Sequence, residues 1–106
     1  MENNRIIEKM IFLIERIESY SQGMSYEKFV TNSMVVDACV FNLSQLGELA
    51  GKIDDAFEEN NPQIPWRQIY GLRNRIVHDY EGVNLKLVWE IIETDLPDLK
   101  NELELL

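Results

Sequence analysis

Residues 34–43, MVVDACVFNL, are apolar on nearly every side of a helix. A helix that hides most of its circumference has neighbours on more than one face. The run sits in a longer helical pattern that begins near Ser25 or Tyr26 and continues to about Glu59, through Met34, Val35, Cys39, Leu43, Leu46, Leu49, Ile53 and Phe57. The pattern predicts one long central helix with others packed around it. Upstream, Ile6, Met10, Leu13, Ile14 and Ile17 recur at three- and four-residue steps, which predicts an amphipathic helix from Asn4 to about Ser21, ended by Gly23. Downstream, Pro62 and Pro65 in NNPQIP lack the N–H a helix needs and force a loop. Pro65 then suits the first turn of a helix from about Trp66 to Tyr80, with Gly82 as its stop. After an Asn84 N-cap, the row Leu85, Trp89, Ile92, Leu96, Leu99, Leu103 and Leu106 keeps one phase across Pro97. That predicts a kinked continuous helix or two short helices in line. No strand pattern, repeat or linker interrupts the series. The fold class expected is all-α, an antiparallel bundle of four to five helices forming a single domain over residues 1–106.

A chain of 106 residues with 45% hydrophobic and 27% charged side chains has the composition of a folded domain that needs no metal or disulfide staple. Its N-terminal segment interrupts every apolar stretch with charges, which argues against a signal peptide or a membrane span and for a cytoplasmic protein. Cys39 is the only cysteine; a buried structural thiol in a reducing compartment is expected. The net charge of −9 argues against broad, nonspecific nucleic-acid binding, which draws on a basic surface. Charge is unevenly spread, however. Between Ile64 and Tyr80 stand three arginines, Arg67, Arg73 and Arg75, against Asp79 alone, a net of +2. An anion is most readily met there.

That segment ends in GLRNRIVHDY, residues 71–80, with the only histidine of the chain. On an ideal wheel with Trp66 at zero, Ile69, Tyr70, Ile76, Val77 and Tyr80 fall within roughly 80° and define a buried stripe. Arg73 lands about 20° from Trp66, close to the stripe's centre, where an unpaired guanidinium is costly, so it needs an anion, a polar pocket or a subunit interface unless it snorkels to the edge. Asn74 and His78, one turn apart, are neighbours on the flank that Gly71 leaves open. Arg73 and His78 lie about 140° apart on a straight helix. Fraying after Val77, or a two-fold axis pairing two chains, would bring them together. Singly, each residue has a structural explanation: a histidine capping a helix, a solvated arginine, a packed tyrosine with a wet hydroxyl. Together they form a candidate site.

RNRIVHDY fits R-x-x-x-x-H-x-Y through Arg73, His78 and Tyr80, with Asn74 after the arginine. With NLSQLGELA, IPWRQIYGLRNRIVHDY and VWEIIETDLPDL, the chain resembles the HepT-like toxins of the HEPN superfamily of small helical ribonucleases. The resemblance implies a HEPN-like domain and a homodimeric, metal-independent endoribonuclease toxin of a type II/VII-like toxin–antitoxin pair. Its cleft would lie at the dimer interface and its substrate would be RNA. It also implies a partner, a minimal nucleotidyltransferase antitoxin that transfers AMP to the motif tyrosine, here Tyr80. The alternative is a noncatalytic HEPN module that binds a nucleotide or the nucleotidyltransferase.

The chemistry suits these residue types. Histidine as a residue type titrates near neutrality, so His78 can take the proton of a ribose 2'-OH or protonate the leaving 5'-oxygen. Arg73 can stabilise charge on the phosphate. Asn74 can orient His78 or bond the phosphate, and Tyr80 can position the substrate. One histidine and one distant cysteine suggest no zinc site, and no cofactor is expected. In NLSQLGELA, Gly47 is expected to permit close helix packing, and Glu48 either to face solvent or to reach toward the arginines.

Overall fold

Asn32 divides the central helix that the sequence predicts as continuous. In the computed structural model, which describes residues 2–78 and 82–106 and His78 by its backbone alone, Asn32 leaves helical geometry at φ −108° and ψ 89°. Its N–H closes α2 (Tyr26–Thr31) on the Phe29 carbonyl, and its side-chain oxygen accepts from the Val35 N–H at 3.2 Å to open α3 (Ser33–Ala50). A short polar side chain that serves the orphan donors of the next helix competes with continuation of the last one. Beyond Ala50 the chain turns again. Asp54 is extended, with its N–H and carboxylate held by Asn3 at 3.3 Å, and α4 (Asp55–Asn60) follows. The segment from Tyr26 to about Glu59 is thus three helices.

The helix α1 (Glu2–Ser21) buries Ile6, Met10, Leu13, Ile14 and Ile17, as the periodicity predicts, and Gly23 takes φ +76° just beyond its end. It packs along α3, where Cys39, Leu43 and Leu46 are fully buried. Each such aliphatic side chain contributes about 1.5–3 kcal/mol by leaving water. Burial also pushes the Cys39 thiol up to about 11, so its thiolate is scarce at neutral pH and the residue is an inert packing group.

Asn84 caps the last helical run as expected, accepting from the Leu87 N–H at 3.2 Å. The run consists of α7 (Leu85–Glu90), a π-turn (Ile91–Asp95) and α8 (Leu96–Glu104), all with helical dihedrals at the joins. The Leu96 N–H reaches back five residues to the Ile91 carbonyl, and this widened turn precedes Pro97. A π-turn is one of the few ways a helix absorbs a proline without breaking. The apolar row therefore stays in phase, burying Ile92, Leu96, Leu99 and Leu103, with Val88 and Ile91 beside it. Trp89 packs on the buried Phe29 ring at 5.0 Å between centroids. Lys100 joins α8 to α1 through Glu15 at 3.4 Å and Glu18 at 3.5 Å. Burial pulls its pKa down, but the two carboxylates outweigh that and hold it above the ordinary lysine value. The fold is all-α, and among the described residues no helix is long and apolar enough to cross a membrane.

Candidate functional site

The segment expected as one helix from Trp66 to Tyr80 is two short helices followed by a turn into extended chain. The first, α5 (Trp66–Tyr70), begins after Pro65, with the Trp66 indole N–H donating to the Asn61 carbonyl at 3.0 Å. Gly71, at φ −86° and ψ 7°, separates it from α6 (Leu72–Ile76). Val77 is extended at φ −108° and ψ 124° and opens β1 (Val77–His78), which pairs antiparallel with β2 (Gly82–Val83). Val77 faces Val83 in register and His78 faces Gly82. The Asn84 N–H takes up the free Ile76 carbonyl at 2.7 Å. Two β-branched valines and Gly82 at φ +77° favour this pairing over another helical turn. Hence Asn74 and His78 are not neighbours on one helix, because the helix ends between them. Tyr80 and the side chain of His78 lie outside the described residues.

The side that is buried also differs from the one expected. The buried residues are Trp66, Ile69, Leu72 and Ile76; the last three centre about 90° round the wheel from Trp66. Tyr70, expected in the stripe, is 66% exposed. Arg73, expected near the stripe's centre, is exposed, and so is Asn74. The desolvation cost inferred for Arg73 does not arise.

Arg73 and Asn74 open instead onto a groove of about 900 Å³ between α1, the second half of α3 and α5–α6. Two glycines let α5 close on α3. At Gly47 an added Cβ would stand 2.9 Å from the Ile69 carbonyl oxygen and 3.3 Å from that of Tyr70, so α3 and α5 touch backbone to backbone. The close-packing role expected for Gly47 is what the structure has. At Gly51 the same Cβ would meet the Tyr70 ring at 2.7 Å, so the ring lies against the α3 backbone beside the groove. Asn42, buried, donates to the Ala38 carbonyl at 2.7 Å and lines the floor with Leu13 and Leu49. Glu48 is exposed and lines the groove with Arg73.

The cationic segment read from the sequence is not one patch. Arg75 opens onto a different groove of about 390 Å³, edged by Asp95, Asp98 and Glu102, and Arg67 borders Glu58 and Glu59. Arg73 alone reaches the larger groove. There it joins Lys9 and Arg16 from α1 and Lys52 from just beyond α3, with Glu48 the one carboxylate of the lining among the described residues. Sequence reading missed these three cations. They are up to 64 positions from Arg73, and only the packing of α1 on α3 brings them together. Among the described residues no three His, Cys, Asp or Glu side chains gather as a metal site.

The chain is thus an all-α protein in which one groove gathers four basic side chains, although the chain as a whole is acidic. The family model described as ribonuclease HepT-like matches residues 10–106, and the chain belongs to that family. One relative is "Putative RNase TTE0752" of Caldanaerobacter subterraneus subsp. tengcongensis, 33% identical over 93% of this chain and 85% of the relative. Another is "Probable ribonuclease HepT" of Thermococcus cleftensis, 30% identical over 92% of this chain and 89% of the relative. No solved structure matches the chain at a significant level.

Proposed function

We propose that the protein is a metal-independent endoribonuclease, the toxin of a toxin–antitoxin pair, that cleaves RNA by attack of a ribose 2'-OH. The observation that carries this reading is Arg73, exposed on the wall of a cationic groove, in a chain whose sequence places His78 five residues on and which belongs to the HepT-like ribonucleases. In the step proposed, the 2'-oxygen bonds to phosphorus as the bond to the 5'-oxygen breaks. A base takes the 2'-OH proton, an acid gives one to the leaving oxygen, and the products are a 2',3'-cyclic phosphate and a 5'-OH. Arg73 neutralises the charge building on the phosphoryl oxygens, and Asn74 positions the phosphate. Two proton transfers call for two titrating groups, while each chain has one histidine. A two-fold site at a homodimer interface supplies the second. RNA with a single 2'-deoxy nucleotide at the scissile position should resist cleavage there while the all-ribo strand is cut. Binding of both without cleavage of either would favour a noncatalytic module instead.

The homodimer accounts for Met34 and Phe41, 82% and 62% exposed and two turns apart on one side of α3. Large apolar side chains aligned like this mark an association surface. Sedimentation equilibrium should give twice the mass of the chain at micromolar concentration. Phe41→Asp should shift it to monomer, and a monomeric wild type would remove the basis for a shared site.

Tyr80 is the proposed control point, modified with AMP by a minimal nucleotidyltransferase antitoxin. Two residues from His78, the added phosphate would compete with RNA for the same cations and block the cleft. Intact mass after coexpression with the cognate nucleotidyltransferase should rise by AMP units that vanish in Tyr80→Phe. Additions that persist in the variant, or a modified protein that cleaves at full rate, would sink this account of regulation.

A further inference from the structure

We propose that Lys9, Arg16 and Lys52 form a phosphate-binding track that leads a single RNA strand along the groove to Arg73, with Tyr70 as a stacking platform for one base. The proposal rests on the ribonuclease reading above and adds residues to it that the motif does not contain.

Charge is sorted on α1. Glu15 and Glu18 turn to Lys100 on α8, while Lys9 and Arg16 line the groove. Lys9 and Arg16 are seven residues apart, hence on one side of the helix and about 10 Å apart along it. Arg16 is held in place by neutral groups: its Nε and Nη2 donate to the Tyr20 hydroxyl at 3.0 and 2.8 Å, and its guanidinium sits 5.7 Å from the Phe12 ring centroid. A guanidinium ordered by a hydroxyl and a ring keeps its full charge for an incoming anion, which one ordered by a carboxylate does not. Lys52, four residues after Glu48, lines the same groove, and so does Arg73. One groove thus carries cations from α1, from just beyond α3 and from the motif.

Tyr70 decides which nucleic acid fits. Tyr70 is 66% exposed, yet one edge of its ring lies against Gly51, where an added Cβ would stand 2.7 Å from it. A ring so placed offers stacking area to an unpaired base, which a duplex cannot present because its bases are already stacked. A positive groove with an exposed aromatic is the usual means of holding single strands without sequence preference.

The test is fluorescence anisotropy with a labelled 2'-O-methyl oligouridylate, which lacks the 2'-OH and is not cut, titrated across potassium chloride concentrations. For single strands the slope of log K against log salt falls by roughly 0.7 for each phosphate that is no longer neutralised. Lys9→Gln, Arg16→Gln and Lys52→Gln should each lower it by about that much, and the triple variant by about 2. Lys86→Gln, the same charge change at an exposed position outside the groove, should leave it at the wild-type value. Glu48→Gln should tighten binding. Tyr70→Ala should weaken it by roughly 5- to 150-fold with the slope unchanged. A triple variant with the wild-type slope and affinity overturns the track, as does tighter binding of duplex than of single strand. A wild type that binds with these dependences but never cleaves all-ribo RNA supports the track while removing the ribonuclease reading.

Discussion

Alanine at His78 or at Arg73 is expected to abolish RNA cleavage with little change in melting temperature. Loss of a positioned acid or base costs about 10²–10⁴-fold in rate, and loss of a cation stabilising a phosphoryl charge costs about 10²–10³-fold. Stability should hardly move for Arg73→Ala, because Arg73 is exposed and surface substitutions are usually neutral to within about 0.5 kcal/mol. The backbone pairing of His78 with Gly82 involves no side chain and survives either substitution. Arg73→Lys separates charge from geometry: it keeps the cation, loses the planar fork, and should fall between wild type and alanine. Wild-type cleavage by either alanine variant would exclude that residue from the chemistry.

The second large effect is expected at Gly47, which lies outside the motif. Gly47→Val places a branched side chain where a Cβ alone would stand 2.9 Å from the Ile69 carbonyl oxygen. Backbone cannot swing aside as a side chain does, so α5 must move off α3. Overpacking of this kind costs about 3 kcal/mol. For a domain of this size that lowers the melting temperature by roughly 10–25 °C. Cleavage should fall as well, since α5 carries α6 and with it Arg73. Gly51→Ala is the contrast. Its Cβ also collides, at 2.7 Å, but with the ring of an exposed tyrosine, which can rotate away, so stability should change little. Equal melting temperatures for Gly47→Val and wild type would mean that α3 and α5 are not in backbone contact.

The helices were legible where periodicity and caps agreed. Ile6 to Ile17 with Gly23, and Asn84 with the apolar row from Ile92 to Leu103, carry two consistent signals each, and both segments fold as read. Pro97 did not mislead, because the phase on its two sides is the same. Errors arose where one short residue outweighs a long pattern. Asn32 reads as one more helical position until its side chain is seen bonding the Val35 N–H. Gly71 and Val77 likewise end segments that an ideal wheel runs through. A stripe drawn through Tyr70, Val77 and Tyr80 put Tyr70 and Arg73 on the buried side, whereas Ile69, Leu72 and Ile76 mark the side that is buried. Of the candidate site, Arg73 and Asn74 were singled out by the motif, and both line one groove, though the wheel had set Asn74 beside His78 and Arg73 in the stripe. Lys9, Arg16 and Lys52 were not legible, since nothing local to a helix repeat records which distant helix faces it.

The chemical ends of the RNA fragments test the proposed mechanism most directly. Purified protein should be incubated with a defined single-stranded RNA in excess EDTA and the products resolved by mass. A 2'-OH attack assisted by His78 and Arg73 predicts fragments ending in 2',3'-cyclic phosphate and beginning with 5'-OH, in yields that EDTA leaves unchanged. Fragments with 3'-OH and 5'-phosphate ends, or cleavage that appears only when a divalent cation is restored, would contradict it.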